Sequence, residues 1–332
     1  MVEYYKPVFD GSNFVSVDKI RLKLEFDNIS LIEKLVDSVN NLMFDYLVDC
    51  LVVSYKDYKY RYLFTFKVAK YSFSLGLLLN HHVIDGAEAR TGFFEFNPNK
   101  ILGGLVLKDG ILDEFESLSK YDSCPFVDDI AYDSKIRINE IFFKIFSLVK
   151  RYSNYTVKRY DLAIDIPVSR KEVHLFKDTR KYTQFYRSSY DFTEYLGSGQ
   201  NSGRVKVYNK TLESDLEYDL TRFEITLEVL SYSSFLKVMP RVKVISKIKT
   251  DCKEVVLEML EMLPVSDRNL ILKKMSRPTR YKYEKMIGDD YLSISEVTFK
   301  KIVNQVFDLV YKEDFKRMNR REQEKVDALL AL

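Results

Sequence analysis

Three short stretches constrain this chain most, because each alternates apolar and polar side chains with the period of a β-strand. In Arg159–Pro167 the residues Tyr160, Leu162, Ile164 and Ile166 form the apolar face, and Arg159, Asp161, Ala163 and Asp165 the other. In Arg204–Lys210, Val205 and Val207 point one way, with Arg204, Lys206, Tyr208 and Lys210 opposite. In Arg222–Val229, Phe223, Ile225, Leu227 and Val229 oppose Arg222, Glu224, Thr226 and Glu228. Paired in one sheet over a common core, the three would present Asp161, Asp165, Glu224, Glu228 and Tyr208 on a shared solvated face among lysines and arginines. A loop of small and polar residues, Leu196-Gly-Ser-Gly-Gln-Asn-Ser-Gly203, feeds the second stretch.

Acidic groups in a basic setting suit a hard divalent cation, which takes oxygen ligands, and a phosphate, which takes cations. A carboxylate set of Asp161, Asp165 and Glu224 selects magnesium or manganese rather than zinc. The chain has only three histidines, His81, His82 and His174. The first two are adjacent, so on a strand they face opposite sides and are read as ordinary residues. A free phenol titrates near pH 10, so Tyr208 as a nucleophile needs its proton removed or its anion stabilised, and Lys210 is placed to do either. Tyr195, at the start of the glycine loop, is a rival nucleophile. The plainer reading is a solvated strand face, with Asp161 and Asp165 balancing Arg159 and Arg222.

The run Asp161-Leu-Ala-Ile-Asp165, then Tyr195-Leu-Gly-Ser198, Arg204-Val-Lys-Val-Tyr208-Asn-Lys210 and Arg222-Phe-Glu224 resembles the rolling-circle replication initiators of Gram-positive plasmids. It is similar too to the related replication initiation factors of phages and integrative elements. Glu95-Phe-Asn-Pro-Asn-Lys100 is similar to a further segment of that group, so the resemblance covers roughly residues 90 to 230. Two positions depart from the pattern: Gly199-Gln200 stands where many members carry an arginine, and Asn209 where an acidic residue is common. The resemblance implies an α+β fold with an antiparallel sheet of the HUH-like or palm type. It also implies a metal-dependent nicking and joining endonuclease that starts rolling-circle DNA replication. Tyr208 would attack a DNA phosphate, leaving a 5'-phosphotyrosine and a 3'-hydroxyl primer, with Lys210 assisting and Asp161, Asp165 and Glu224 on the metal. Origin DNA, a host helicase and a second copy of the protein are the implied partners. A relaxase of a conjugative element with the same chemistry, and a DNA-binding protein without catalysis, are the alternatives.

At 332 residues the chain is long enough for two lobes. Hydrophobic residues at 46% and charged residues at 30% place it among globular proteins. Its charge is uneven: from Lys237 onward there are 21 Lys and Arg against 15 Asp and Glu, although the whole chain carries only +3. Cys50, Cys124 and Cys252 show neither a disulfide framework nor zinc spacing, which points to a reducing, cytoplasmic setting. The longest apolar run, near Leu75 to Leu79, is too short to span a bilayer, and the N-terminus reads as lacking a signal peptide.

In order, residues 1 to 28 read as extended. A helix follows, opened by a Ser30/Glu33 capping box and running to about Val48. Strands are expected at Cys50–Tyr55, Tyr60–Ala69, Leu75–Asn80 and Phe93–Phe96, the opening of a ferredoxin-like or palm arrangement. A helix from about Ser134 precedes the carboxylate strand, and a weaker one is expected over Lys171–Phe176. Beyond Leu230 the pattern turns helical, with a helix capped by Asp251, one starting at Ser266 and a long one capped by Ser293. Domains are therefore expected at 1–235, catalytic, and 236–332, a mostly helical DNA-recognition region. There the segment Lys273–Lys285 interleaves cations with tyrosines. Together with Arg159, Arg204, Lys206 and Arg222, its Lys273, Lys274, Arg277 and Arg280 are the expected phosphate contacts.

Overall fold

A computed structural model describes residues 8–46, 50–52, 60–68, 71–84, 87–98, 132–188, 191–199, 201–214, 216–228, 230–244, 256, 259–260, 263–286 and 291–311. The chain is α+β, with a large antiparallel sheet backed by helices. Its strands are β1 (Val8–Asp10), β2 (Asn13–Glu25), β3 (Cys50–Val52), β4 (Tyr60–Val68), β5 (Tyr71–Ile84), β6 (Ala87–Phe96), β7 (Asn154–Ile166), β8 (Val173–Leu175), β9 (Tyr182–Tyr186), β10 (Phe192–Leu196), β11 (Val205–Asn209), β12 (Thr221–Leu227) and β13 (Val242–Val244). The helices are α1 (Ile29–Tyr46), α2 (Tyr132–Tyr152), α3 (Lys210–Ser214), α4 (Tyr232–Val238), α5 (Val265–Lys274), α6 (Arg277–Met286) and α7 (Glu296–Tyr311). No helix among the described residues is long and apolar enough to cross a membrane.

The chain divides into two compact units. The first takes Met1–Val8, Ser16–Leu162 and Lys300–Leu332; the second takes Phe9–Val15 and Ala163–Phe299. Compactness follows neighbours in space, and β2, β7 and α7 each pass through both units.

In the first unit the strands run β3-β4-β5-β6-β2-β7. The alternation of β2 buries Ile20, Leu22 and Leu24. On β6, Phe94 and Phe96 meet Phe142 and Phe146 of α2, with centroids 4.8 to 6.2 Å apart. An aromatic cluster of this size anchors the helix through area and ring geometry together. At the far end, Tyr155 of β7 stacks on Tyr311 of α7 at 5.8 Å, and the Tyr311 hydroxyl accepts from the Val157 N–H at 3.0 Å.

In the second unit the end of β7 is followed across the sheet by β12, β11, β10 and β9, and β8 pairs with β13 in a separate ribbon. Phe235 of α4 stacks on Phe299 of α7 at 4.9 Å. Leu272 of α5 and Tyr283 of α6 bury against Leu260, so the two basic helices form a small packed hairpin.

Several expectations shift. The helix expected over Lys171–Phe176 is a short 3-10 turn, Arg170–Glu172, followed by β8, because Val173 and Leu175 are buried with strand alternation. The cap of α1 is Asn28, whose Oδ1 accepts from the Leu31 N–H at 3.2 Å, rather than Ser30. Ser295, not Ser293, caps α7: its Oγ accepts from the Thr298 N–H at 3.2 Å. The strands β9, β10 and β13 have no counterpart among the expected strands. Asp251, where a helix cap is expected, lies outside the described residues.

Candidate functional site

The antiparallel register of β11 and β12 sets Lys206 opposite Glu224 and Tyr208 opposite Arg222, so the two polar faces coincide as the alternation predicts. The Tyr208 hydroxyl donates to Glu224 Oε1 at 2.6 Å. The Lys206 ammonium lies 3.6 Å from the centre of the Tyr208 ring and 3.7 Å from Glu224 Oε2. A phenol is thus held between a carboxylate that can take its proton and a cation that can stabilise its anion.

Around Tyr208 the face is not the solvated surface that alternation suggested. Tyr208 is 5% exposed, Asp165 1% and Arg222 3%. Arg222 donates from Nε and a terminal nitrogen to the two oxygens of Asp165, both at 2.6 Å. This bidentate pair explains how a charged face can be buried: each ion satisfies the other where water is excluded. Strand alternation reports polarity, and a polar face buries when its charges pair.

Lys210 too is buried and paired. It is not the last residue of the strand face but the first of α3, because the Asn209 side chain accepts from the Leu212 N–H at 3.1 Å and caps the helix. Its ammonium is buried and engages Glu213. Burial and the Arg222 charge hold Lys210 below its usual value, with Glu213 opposing. Burial would raise the Glu213 carboxyl, yet Lys210, with smaller help from Arg222 and Lys206, brings it below its ordinary 4.5. The departure at Asn209 therefore has a structural cause, a side chain that caps α3.

Arg159 and Asp161 belong to the first unit. Arg159 is buried and lies 3.5 Å from Glu95, which also faces Lys19 at 3.2 Å and Arg21 at 3.7 Å. Burial works against the Lys19 charge, but Glu95 above all, with Asp161 and Asp18, raises its ammonium. Arg159 and Arg222 were expected to touch phosphate from a wet face. Both are instead buried and paired with carboxylates. Arg204 and Lys206 keep partial exposure, and Lys273, Lys274 and Arg277 are exposed on α5 and α6, with Arg280 partly so.

The donor set expected for magnesium or manganese does not fit as it stands. Both Asp165 oxygens are taken by Arg222, Glu224 holds Tyr208, and no group of three or more His, Cys, Asp and Glu side chains among the described residues is arranged to hold a metal ion.

The glycine loop is positioned by backbone geometry. Gly197 and Gly203 have φ of +88° and +82°, in the left-handed region that favours glycine. The Gly203 N–H donates to the Thr226 carbonyl at 2.7 Å, and Arg180, held by Asp178, donates to the Gly203 carbonyl and to that of Val238. Tyr195, the rival nucleophile, stands edge-on to Phe185 at 5.7 Å, with the Arg204 guanidinium 5.2 Å from its ring centre.

No protein-family model matches this sequence, and no curated protein does. Among solved structures the chain is similar to a rolling circle replication initiator protein from Geobacillus stearothermophilus, at 13% identity and a TM-score of 0.34, over 72% of this chain and 89% of that one. At that TM-score the likeness carries no argument about fold or function.

Proposed function

We propose that this protein nicks one DNA strand at an origin to start rolling-circle replication, with Tyr208 as the nucleophile. The observation that carries the reading is the 2.6 Å hydrogen bond from the Tyr208 hydroxyl to Glu224 beneath the Lys206 ammonium. Glu224 takes the phenolic proton as the Tyr208 oxygen attacks phosphorus. The bond from phosphorus to the 3' oxygen breaks, and that oxygen leaves with a proton from solvent as a 3'-hydroxyl. Lys206 offsets the charge developing on the phenol oxygen. The 5'-phosphotyrosine keeps the energy of the broken ester, so the same site can reseal the strand. The expected magnesium or manganese requires Arg222 to give up Asp165, and no step above is routed through it.

Incubating the full chain with a single-stranded origin oligonucleotide, with and without manganese, tests the reading on denaturing gels. A covalent adduct is expected, abolished in Tyr208→Phe and slowed roughly a hundredfold or more in Glu224→Gln, the loss typical of a removed general base. An adduct that persists in Tyr208→Phe transfers the role to another tyrosine. The burial of the Tyr208 ring and the Asp165–Arg222 pair favour a second reading, DNA binding without cleavage. Binding with no adduct under any metal condition establishes that one.

A further inference from the structure

On the two strands beyond Tyr208, the same sheet face carries a pair of aromatics. Phe185 lies on β9, the outermost strand of the second unit's sheet, and is 61% exposed. The register sets Phe185 opposite Thr193 and Tyr195 opposite Thr183, and Tyr195 in turn opposite Lys206. Phe185, Tyr195, Lys206 and Glu224 therefore share one face. The Phe185 ring stands at 83° to the Tyr195 ring, so it rests on its neighbour by an edge and leaves much of its surface to solvent. Arg204 extends over Tyr195, and Arg187 follows β9, exposed.

An exposed phenylalanine beside cations matches a specific chemistry. A nucleobase offers a flat π surface and its phosphate an anion, and aromatic platforms interleaved with cations are how sheets hold unpaired strands. A duplex fits this arrangement poorly, since its bases are already stacked. Glu194 of β10 points to the opposite face and pairs with Arg170, and on the shared face of β9 to β12 the carboxylate among the described residues is Glu224, engaged by Tyr208 and Lys206, which leaves the cations to dominate. We infer that Phe185, supported by Tyr195, is a base-stacking platform for single-stranded DNA, with Arg204 and Lys206 holding the adjoining phosphates. The inference rests on the nicking reading for the polarity of the strand and deepens it by assigning a binding site. Two strand spacings put the platform about 10 Å from Tyr208, so the stacked base belongs to a nucleotide close to the scissile phosphate.

Fluorescence anisotropy of the full chain with a labelled 20-nucleotide oligothymidylate, its duplex form and an RNA of the same length tests the proposal, alongside the adduct assay and thermal melting. Phe185→Ala is expected to weaken single-stranded DNA binding roughly tenfold without changing its salt dependence, since no charge is lost. Phe185→Trp is expected to retain the affinity. Lys206→Ala, in contrast, should flatten the salt dependence. Unchanged DNA affinity in a folded Phe185→Ala overturns the platform, even if adducts still form and the nicking reading stands. Phe185-dependent binding without any adduct supports the platform and overturns nicking. Tighter binding of RNA or duplex than of single-stranded DNA overturns the assigned ligand. A change in sedimentation of Phe185→Ala with DNA binding intact would make the patch a protein contact and overturn the proposal.

Discussion

At the scale of single residues, the two decisive pairs are Tyr208–Glu224 and Asp165–Arg222. They lie in adjacent register positions of one face but serve different ends: the first is a hydrogen bond whose proton can move, the second a closed ion pair. Breaking a buried pair by removing one charge leaves the other stranded, which typically costs about 3–5 kcal/mol. Asp165→Asn is expected to lose stability of about that size in urea unfolding, because Arg222 is left charged and 3% exposed. A loss under about 1 kcal/mol would mean the pair is solvated and Asp165 available to other ligands.

At the scale of elements, the glycine loop and α3 decide how the tyrosine strand is presented. A Cβ at Gly203 would stand 3.2 Å from the Val238 Cβ, in a backbone conformation already costly for other residues. Gly203→Ala is therefore expected to destabilise by about 1–3 kcal/mol and to lower the midpoint of thermal unfolding. Gly199→Ala, where nothing lies within 4 Å of the added Cβ, bears only the backbone cost and should lose less. The helix α3 carries the pH dependence. Glu213 has its folded-state value below its ordinary 4.5, so its contribution is complete above that pH and is lost as the pH falls through the folded value. Urea midpoints measured from pH 7 down to pH 3 should decline more steeply for the parent than for Glu213→Gln, whose Lys210 has no carboxylate to lose.

At the scale of the molecule, the second unit is assembled from two separate pieces of chain, 9–15 and 163–299. One tie between them is explicit: the Asp10 carboxylate accepts from the Ser295 N–H at 2.5 Å, where the helix α7 begins. A carboxylate at a helix N-terminus is favoured by the dipole as well as by the hydrogen bond. Asp10→Ala is expected to cost about 1 kcal/mol in unfolding free energy. Ser295 lies 285 positions from Asp10 in sequence, so the loss, read as a lower urea midpoint of the full chain, is expected because the two pieces fold together.

Much of this was written in the sequence. Period-two alternation placed β7, β11 and β12 and the coincidence of their polar faces, and apolar residues at helical spacing placed α1, α2 and α7, since local periodicity follows from backbone geometry alone. Alternation could also set Glu224 beside Tyr208, because register fixes which side chains meet. It could not say whether that face met water. Burial of Asp165 and Arg222 depends on what lies over the sheet and on two ions meeting within hydrogen-bond reach, and Lys210 begins a helix and meets Glu213 because Asn209 closed a helix turn instead of extending the strand. Period is a property of neighbours along the chain, whereas enclosure and ion pairing are properties of neighbours in space, and only the folded arrangement supplies those.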